Sequence, residues 1–235
     1  MSDMLTFDYE FTFQSGRKSR FQIRLNSRTL EYIQPGNRMT PEWTKLENHQ
    51  CENCTLNPSE HPFCPIALNL VDILPEFIDI FSYEETDVVV KSEQRTYSAR
   101  VPVQQGLSSM LGIYMVSSGC PILTHLKPMV RFHLPFASVE ETIYRSVSTY
   151  LLRQYFRHMR GEEADWNLKD LVQLYTEIQQ VNMDMAERLR SIPAKDANIN
   201  ALIVLDIFAR EMPSNIEESL EILEYLFKED GTGLE

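Results

Sequence analysis

The sequence lacks the short motifs that mark most enzyme chemistries. It contains no G-x-S-x-G, no G-x-G-x-x-G, no Walker A loop and no H-E-x-x-H. Glycine is scarce, at 8 residues in 235, and none of it gathers into a phosphate-cradling loop. Serine-hydrolase, nucleotide-hydrolase and dinucleotide-dependent functions therefore have no support, and no catalytic residue is assigned. Long apolar runs are missing too. The best, 107–116 and 201–208, fall well short of the ~18 uninterrupted apolar residues that a membrane span needs. The opening MSDMLTFDYEF has neither the basic stretch nor the continuous apolar segment of a secretory signal. The expectation is a cytoplasmic protein with no membrane role. Basic residues are outnumbered, 22 against 34 acidic, for a net charge of −12. Such a chain repels phosphate backbones, which disfavours nucleic-acid partners. Cysteine is sparse at 4 residues, too few for a disulfide-built scaffold.

Hydrophobic patterning is strong. In residues 5–13 (LTFDYEFTF) Leu5, Phe7, Tyr9, Phe11 and Phe13 alternate with Thr6, Asp8, Glu10 and Thr12, the mark of a half-buried strand. A turn at 14–18 leads to a second strand carrying Phe21, Ile23 and Leu25. Short third and fourth strands are expected at 30–33 and 43–46, and a second hairpin at 88–91 and 95–103. Helical spacing runs from 65 to 82, with Pro75 expected to split it. An apolar helix over 104–118 should end at Gly119, and a short one over 121–133 should be perturbed by Pro128. Ser138-Val139-Glu140-Glu141 has the capping-box form and opens a helix ending at Gly161. A further helix spans 168–189. Residues 198–210 are apolar nearly all round, which predicts a central helix. A second capping box at Ser214-Asn215-Ile216-Glu217 predicts a last helix to Phe227, with a tail over 231–235. The class is α+β: an N-terminal antiparallel β meander with one or two helices, then an all-helical C-terminal half. The β-rich part, 1–103, contains the cysteine loop. The helical bundle covers 104–230, and the two are expected to form one unit.

The cysteines carry the sharpest chemical signal. Cys51 and Cys54 form a C-x2-C pair, Cys64 follows in His61-Pro62-Phe63-Cys64-Pro65, and Cys120 lies in Ser118-Gly119-Cys120-Pro121. C-x2-C lets two thiolates grip one metal from a single turn, and two more cysteines complete four ligands. Cys64 and Cys120 each precede a proline that opens a predicted helix. That places each thiol at a helix start, where the dipole lowers its pKa and favours an anionic metal–thiolate centre. The occupant is Zn2+ as the less demanding choice, or an iron–sulfur cluster, which the Cys-Pro pairs favour. Plain buried cysteines and thiol redox chemistry are the other readings of the same residues.

His49, His61 and His125 lie near enough in sequence to back the metal ligands with hydrogen bonds, although a loop histidine facing water is the ordinary alternative. Arg131 and His133 form a candidate anion site. Arg145, Arg153, Arg157, His158 and Arg160 give one helix a basic face, matched in charge to Glu217, Glu218, Glu221 and Glu224.

Four stretches together resemble an uncharacterised bacterial family, a domain of unknown function. They are the C-x2-C pair, the HPxCP motif at 61–65, SGCP at 118–121 and RFHLPFAS at 131–138. The resemblance spans most of the chain. It implies a bacterial cytoplasmic protein and supplies no activity, cofactor or partner. Three functions follow from the residues. The first is an interaction or regulatory module stapled by a structural zinc, working with a protein partner or a second copy of itself. The second is an iron–sulfur protein for electron transfer or redox sensing. The third is a small-molecule binding protein or enzyme with a pocket near Arg131 and His133.

Overall fold

The alternation at the N-terminus builds a hairpin of β1 (Met4–Phe13) and β2 (Lys18–Asn26), in which Phe7 faces Ile23 and Tyr9 faces Phe21. The computed structural model describes residues 3–34, 36, 39–193, 195–218 and 220–228. The expected tail at 231–235 lies outside that set. A second hairpin, β3 (Glu85–Ser92) and β4 (Thr96–Pro102), pairs β3 against β1, so the antiparallel order is β2-β1-β3-β4. Leu5, Phe7, Tyr9, Phe11 and Phe13 are all buried on one face, as the alternation requires.

The sheet is not the four-stranded N-terminal meander expected from 5–46. Residues 30–33 contribute a single bridge, Leu25 to Tyr32, because Leu30 turns into the left-handed region (φ 57°). Residues 43–46 fold as a 3-10 turn (Glu42–Thr44), and the chain after it pairs Lys45 with Phe63. That segment serves the cysteine loop instead of the sheet.

Pro75 does divide the 65–82 stretch, into α1 (Pro65–Leu70) and a 3-10 turn (Leu74–Phe77). Phe77 is fully buried and meets Phe11 edge-on at 5.2 Å. The sheet is covered by α2 (Val103–Val116), whose turns lie so close that a Cβ built on Gly106 would come within 2.9 Å of Val88 Cγ2 and 3.0 Å of Phe11 Cε1. Gly106→Ala should therefore destabilise the fold by about 1–2 kcal/mol in urea unfolding. Overpacking of about 1–3 kcal/mol outweighs about 1 kcal/mol of helix propensity. An unchanged or higher midpoint would mean that the sheet yields freely.

The remainder is helical: α3 (Lys127–Arg131), α4 (Val139–Met159), α5 (Lys169–Arg190), α6 (Ala197–Glu217) and α7 (Glu221–Glu224). Both bonds of the Ser138 capping box form: Glu141 N–H donates to Ser138 Oγ (3.1 Å) and Ser138 N–H to Glu141 Oε2 (2.8 Å). The predicted central helix, α6, packs between α2 and α5 but leaves Ile203 and Ile207 exposed. The capping box expected at Ser214 does not form. Helix α6 continues through Pro213 to Glu217, since Met212 stays buried and Ile216 still packs on the core. Leu220, at φ 58°, ends the run, leaving α7 a single turn. Among the described residues no helix is long and apolar enough to cross a membrane.

Candidate functional site

The loop that carries Cys51 and Cys54 is held from beneath by one residue of α5. Arg188, with no exposed surface, donates to the carbonyls of Trp43 (2.8 Å), Lys45 (2.7 Å), Leu46 (3.2 Å) and His49 (2.9 Å). Two neighbours on α5 finish the docking. Glu52 N–H donates to Asp184 Oδ2 (3.1 Å), and Asn53 Nδ2 donates to the Glu177 carbonyl (2.9 Å). Within the loop Cys54 N–H reaches back to the Cys51 carbonyl (3.0 Å), the tight turn that C-x2-C spacing calls for. Cys64 N–H donates to the Thr44 carbonyl (2.8 Å), and the residue then serves as N-cap of α1 with Pro65 in its first turn, as expected.

Cys120 arrives from another direction. Gly119 takes φ 94° after α2, and Cys120 enters a turn leading to a 3-10 segment (Leu123–Leu126). It is not the N-cap that its proline suggested; that position falls to Ile122. The local chemistry is nevertheless the same at both sites. The backbone amides of Ile66 and Ala67 pull the Cys64 thiol pKa down, and those of Ile122 and Leu123 do the same for Cys120. Asn69 Nδ2 donates to the Tyr114 carbonyl (3.0 Å), tying α1 to the end of α2.

All four cysteines are free, with Cys64 and Cys120 buried and Cys51 and Cys54 partly so. In every pairing of the four, one thiol feels the charge of the other. Burial is the largest influence, and it pushes the Cys51, Cys64 and Cys120 thiols up. This reverses the lowered pKa expected at a helix start. The amide donors pull Cys64 and Cys120 back, and the Arg188 charge also pulls on Cys64, but desolvation prevails. Cys51 is raised further by Cys64, Asp184, Cys120 and Cys54. Among the described residues no three or more His, Cys, Asp or Glu side chains stand as a ready-made group for a metal ion. Several buried polar atoms in this region lack a hydrogen-bond partner: Asn48 Oδ1, Asn53 Oδ1, Ser117 Oγ and Arg188 Nε. Such orphans call for a partner.

The three histidines do not join the cysteines. His49 and His61 are exposed, and His49 contributes its carbonyl rather than its ring. His125 is exposed as well and bonds Arg153 through Nδ1 at 3.0 Å. The anion pair also separates: Arg131 is exposed and does not line the cavity that His133 lines together with Arg145. Arg145 is not on an outward basic face, because it donates to the Met129 and Phe132 carbonyls, both at 2.9 Å. Arg157 and Arg160 turn to Glu162 rather than to the acidic C-terminal residues. Asp184 and Arg188 were not foreseen as site residues. The available signal was an arginine three positions after Met185, on the buried stripe of α5.

A family described as a domain of unknown function (DUF6901) matches residues 7–228, so the chain belongs to that family. No curated protein and no solved structure matches it.

Proposed function

We propose that this DUF6901 chain holds a metal centre on Cys51, Cys54, Cys64 and Cys120 as four thiolates. The mutual electrostatic influence of the four thiols, drawn from three chain segments, carries the proposal. Buried thiols with raised pKa values give up their protons together only to a cation that repays the repulsion. Arg188 supports the same reading, as a buried guanidinium with no carboxylate bonded to it and an unpartnered Nε, set beside Cys64. A negatively charged centre is its natural complement.

An iron–sulfur cluster is the occupant, and electron transfer or redox sensing the role. Zinc needs all four sulfurs ~2.3 Å from one point, which puts them about 3.8 Å from one another. A four-iron cluster takes each thiolate on a different iron and so asks for a wider setting. The Cys64-Pro65 and Cys120-Pro121 pairs are the sequence feature that favours a cluster. The backbone amides near Cys64 and Cys120, which favour the charged thiolate, are of the kind that tunes a cluster's potential. Zinc is the second reading, favoured by the tight Cys51–Cys54 turn. On that reading the metal staples the loop to the helices, and the protein is an interaction or regulatory module.

Metal and sulfide analysis with a visible spectrum, on the full chain purified without oxygen, decides between them. Several irons with sulfide and a broad band near ~400 nm are expected, and Cys64→Ser or Cys120→Ser should abolish both. About one zinc per chain without visible absorbance would replace the cluster by zinc. Absence of metal in anaerobic protein, and after reconstitution with either metal, would overturn the proposal.

A further inference from the structure

A cavity of about 170 Å³ lies among α2, α4, α5, α6 and the segment that follows α3. An engineered apolar cavity of about 150 Å³ takes benzene, so this one has room for a single ring. Its wall is mostly apolar and includes Ile113, Leu126 and Phe208. Polar side chains line it too, among them Arg145, Tyr175 and His133.

Arg145 is the odd member of this wall. Only its Nη2 is engaged, with the carbonyls of Met129 and Phe132. Among the described residues no carboxylate is bonded to it, although the Glu141 charge acts on it, and burial presses its pKa down. Tyr175 bonds Ser146 at 2.7 Å and is pushed up to about 12, so it stays a neutral hydroxyl. His133 is neutral as well, its Nε2 bound to Tyr9 OH at 2.6 Å. The cavity wall thus holds one guanidinium with no carboxylate bonded to it, beside neutral groups and a mostly apolar lining. A guanidinium of this kind pairs through two parallel N–H donors with a carboxylate.

We propose that the cavity is a binding site for a small apolar monocarboxylate, with its ring or branched chain among Ile113, Leu126 and Phe208 and its carboxylate on the free Nε and Nη1 donors of Arg145. The site is independent of what the cysteines hold. Arg131, the residue that sequence proximity to His133 suggested, plays no part in it.

Phenylacetate is the probe, and phenylacetamide, nearly the same shape without the charge, is its control. Ligand-observed NMR titration of the full chain should show saturable phenylacetate binding and at least about tenfold weaker amide binding, the scale of one charge-assisted pair. Arg145→Gln should weaken phenylacetate by about tenfold or more while leaving the amide unchanged. Ala209→Leu, which fills the wall from α6, should block both. The wild-type comparison keeps the proposal testable if Arg145→Gln does not fold. Unsaturable binding, equal affinity for acid and amide, or undiminished binding in folded Ala209→Leu would each overturn it.

Discussion

Arg188→Met will cost the metal-free fold about 3–5 kcal/mol in urea unfolding and, on the proposed metal centre, will abolish metal uptake. The substitution keeps the length of the side chain and removes every donor. It leaves the carbonyls of Trp43, Lys45, Leu46 and His49 without the donor they share. Each buried acceptor left unsatisfied costs about 1–3 kcal/mol, and partial relaxation of the loop returns some of the total. Replacing a buried charge by an apolar isostere is harmless only when its partners are replaced too, and main-chain carbonyls cannot be. Arg188→Lys should recover part of the loss, since an ammonium supplies three donors but not the planar fork. A metal-free Arg188→Met protein within 1 kcal/mol of wild type would show that the loop is anchored elsewhere.

The second large effect is on acid stability. Burial and the nearby Arg145 charge hold His133 down at about 3, against 6.5 for a free imidazole. Its ring is packed edge-on to Phe7 at 5.4 Å and bonded to Tyr9. Above pH 6.5 the imidazole is neutral in both the folded and the unfolded chain, so its contribution to stability is fully present. As pH falls below 6.5 the unfolded chain takes up the proton first, and stability drains away until the folded His133 protonates near pH 3. A shift of this size is worth up to about 5 kcal/mol, and residual exposure of the residue reduces that to about 2–3 kcal/mol. His133→Gln keeps an acceptor for Tyr9 and removes the titration. Urea midpoints of wild type should fall between pH 6.5 and 4 by clearly more than those of the variant. Parallel slopes would assign the acid sensitivity to other groups.

Much of the architecture was legible from local pattern. The alternation from Leu5 to Phe13 can bury its aromatics in only one way, and Ser138 with Glu141 satisfies two orphan donors wherever a helix begins there. The same four-residue pattern misled at Ser214 because the apolar stripe of α6, with Met212 and Ile216, ran straight through it. Packing outweighed a cap and tolerated Pro213. Residues 43–46 read as a strand because Trp43 and Leu46 are apolar, but their carbonyls are spent on Arg188. The four cysteines were legible as a set from spacing and the two Cys-Pro pairs. What holds them was not. Arg188 and Asp184 act on main-chain atoms, which every residue has, so their partners leave no trace in the sequence. Arg145 was hidden in the same way: its charge suggested an outward face, while its bonds run to two carbonyls and its side chain lines a cavity.

The span between the loop and its anchor bears on how the molecule is made. Arg188 lies 139 to 145 positions beyond the carbonyls it binds. Closing so long a segment is entropically slow, and contacts of this separation form late. A chain emerging from the ribosome has all four cysteines outside long before α5 exists to arrange two of them. On the proposed metal centre, loading would follow synthesis of the helical half rather than guide the first half into shape, and a filled centre would certify that the whole polypeptide has folded.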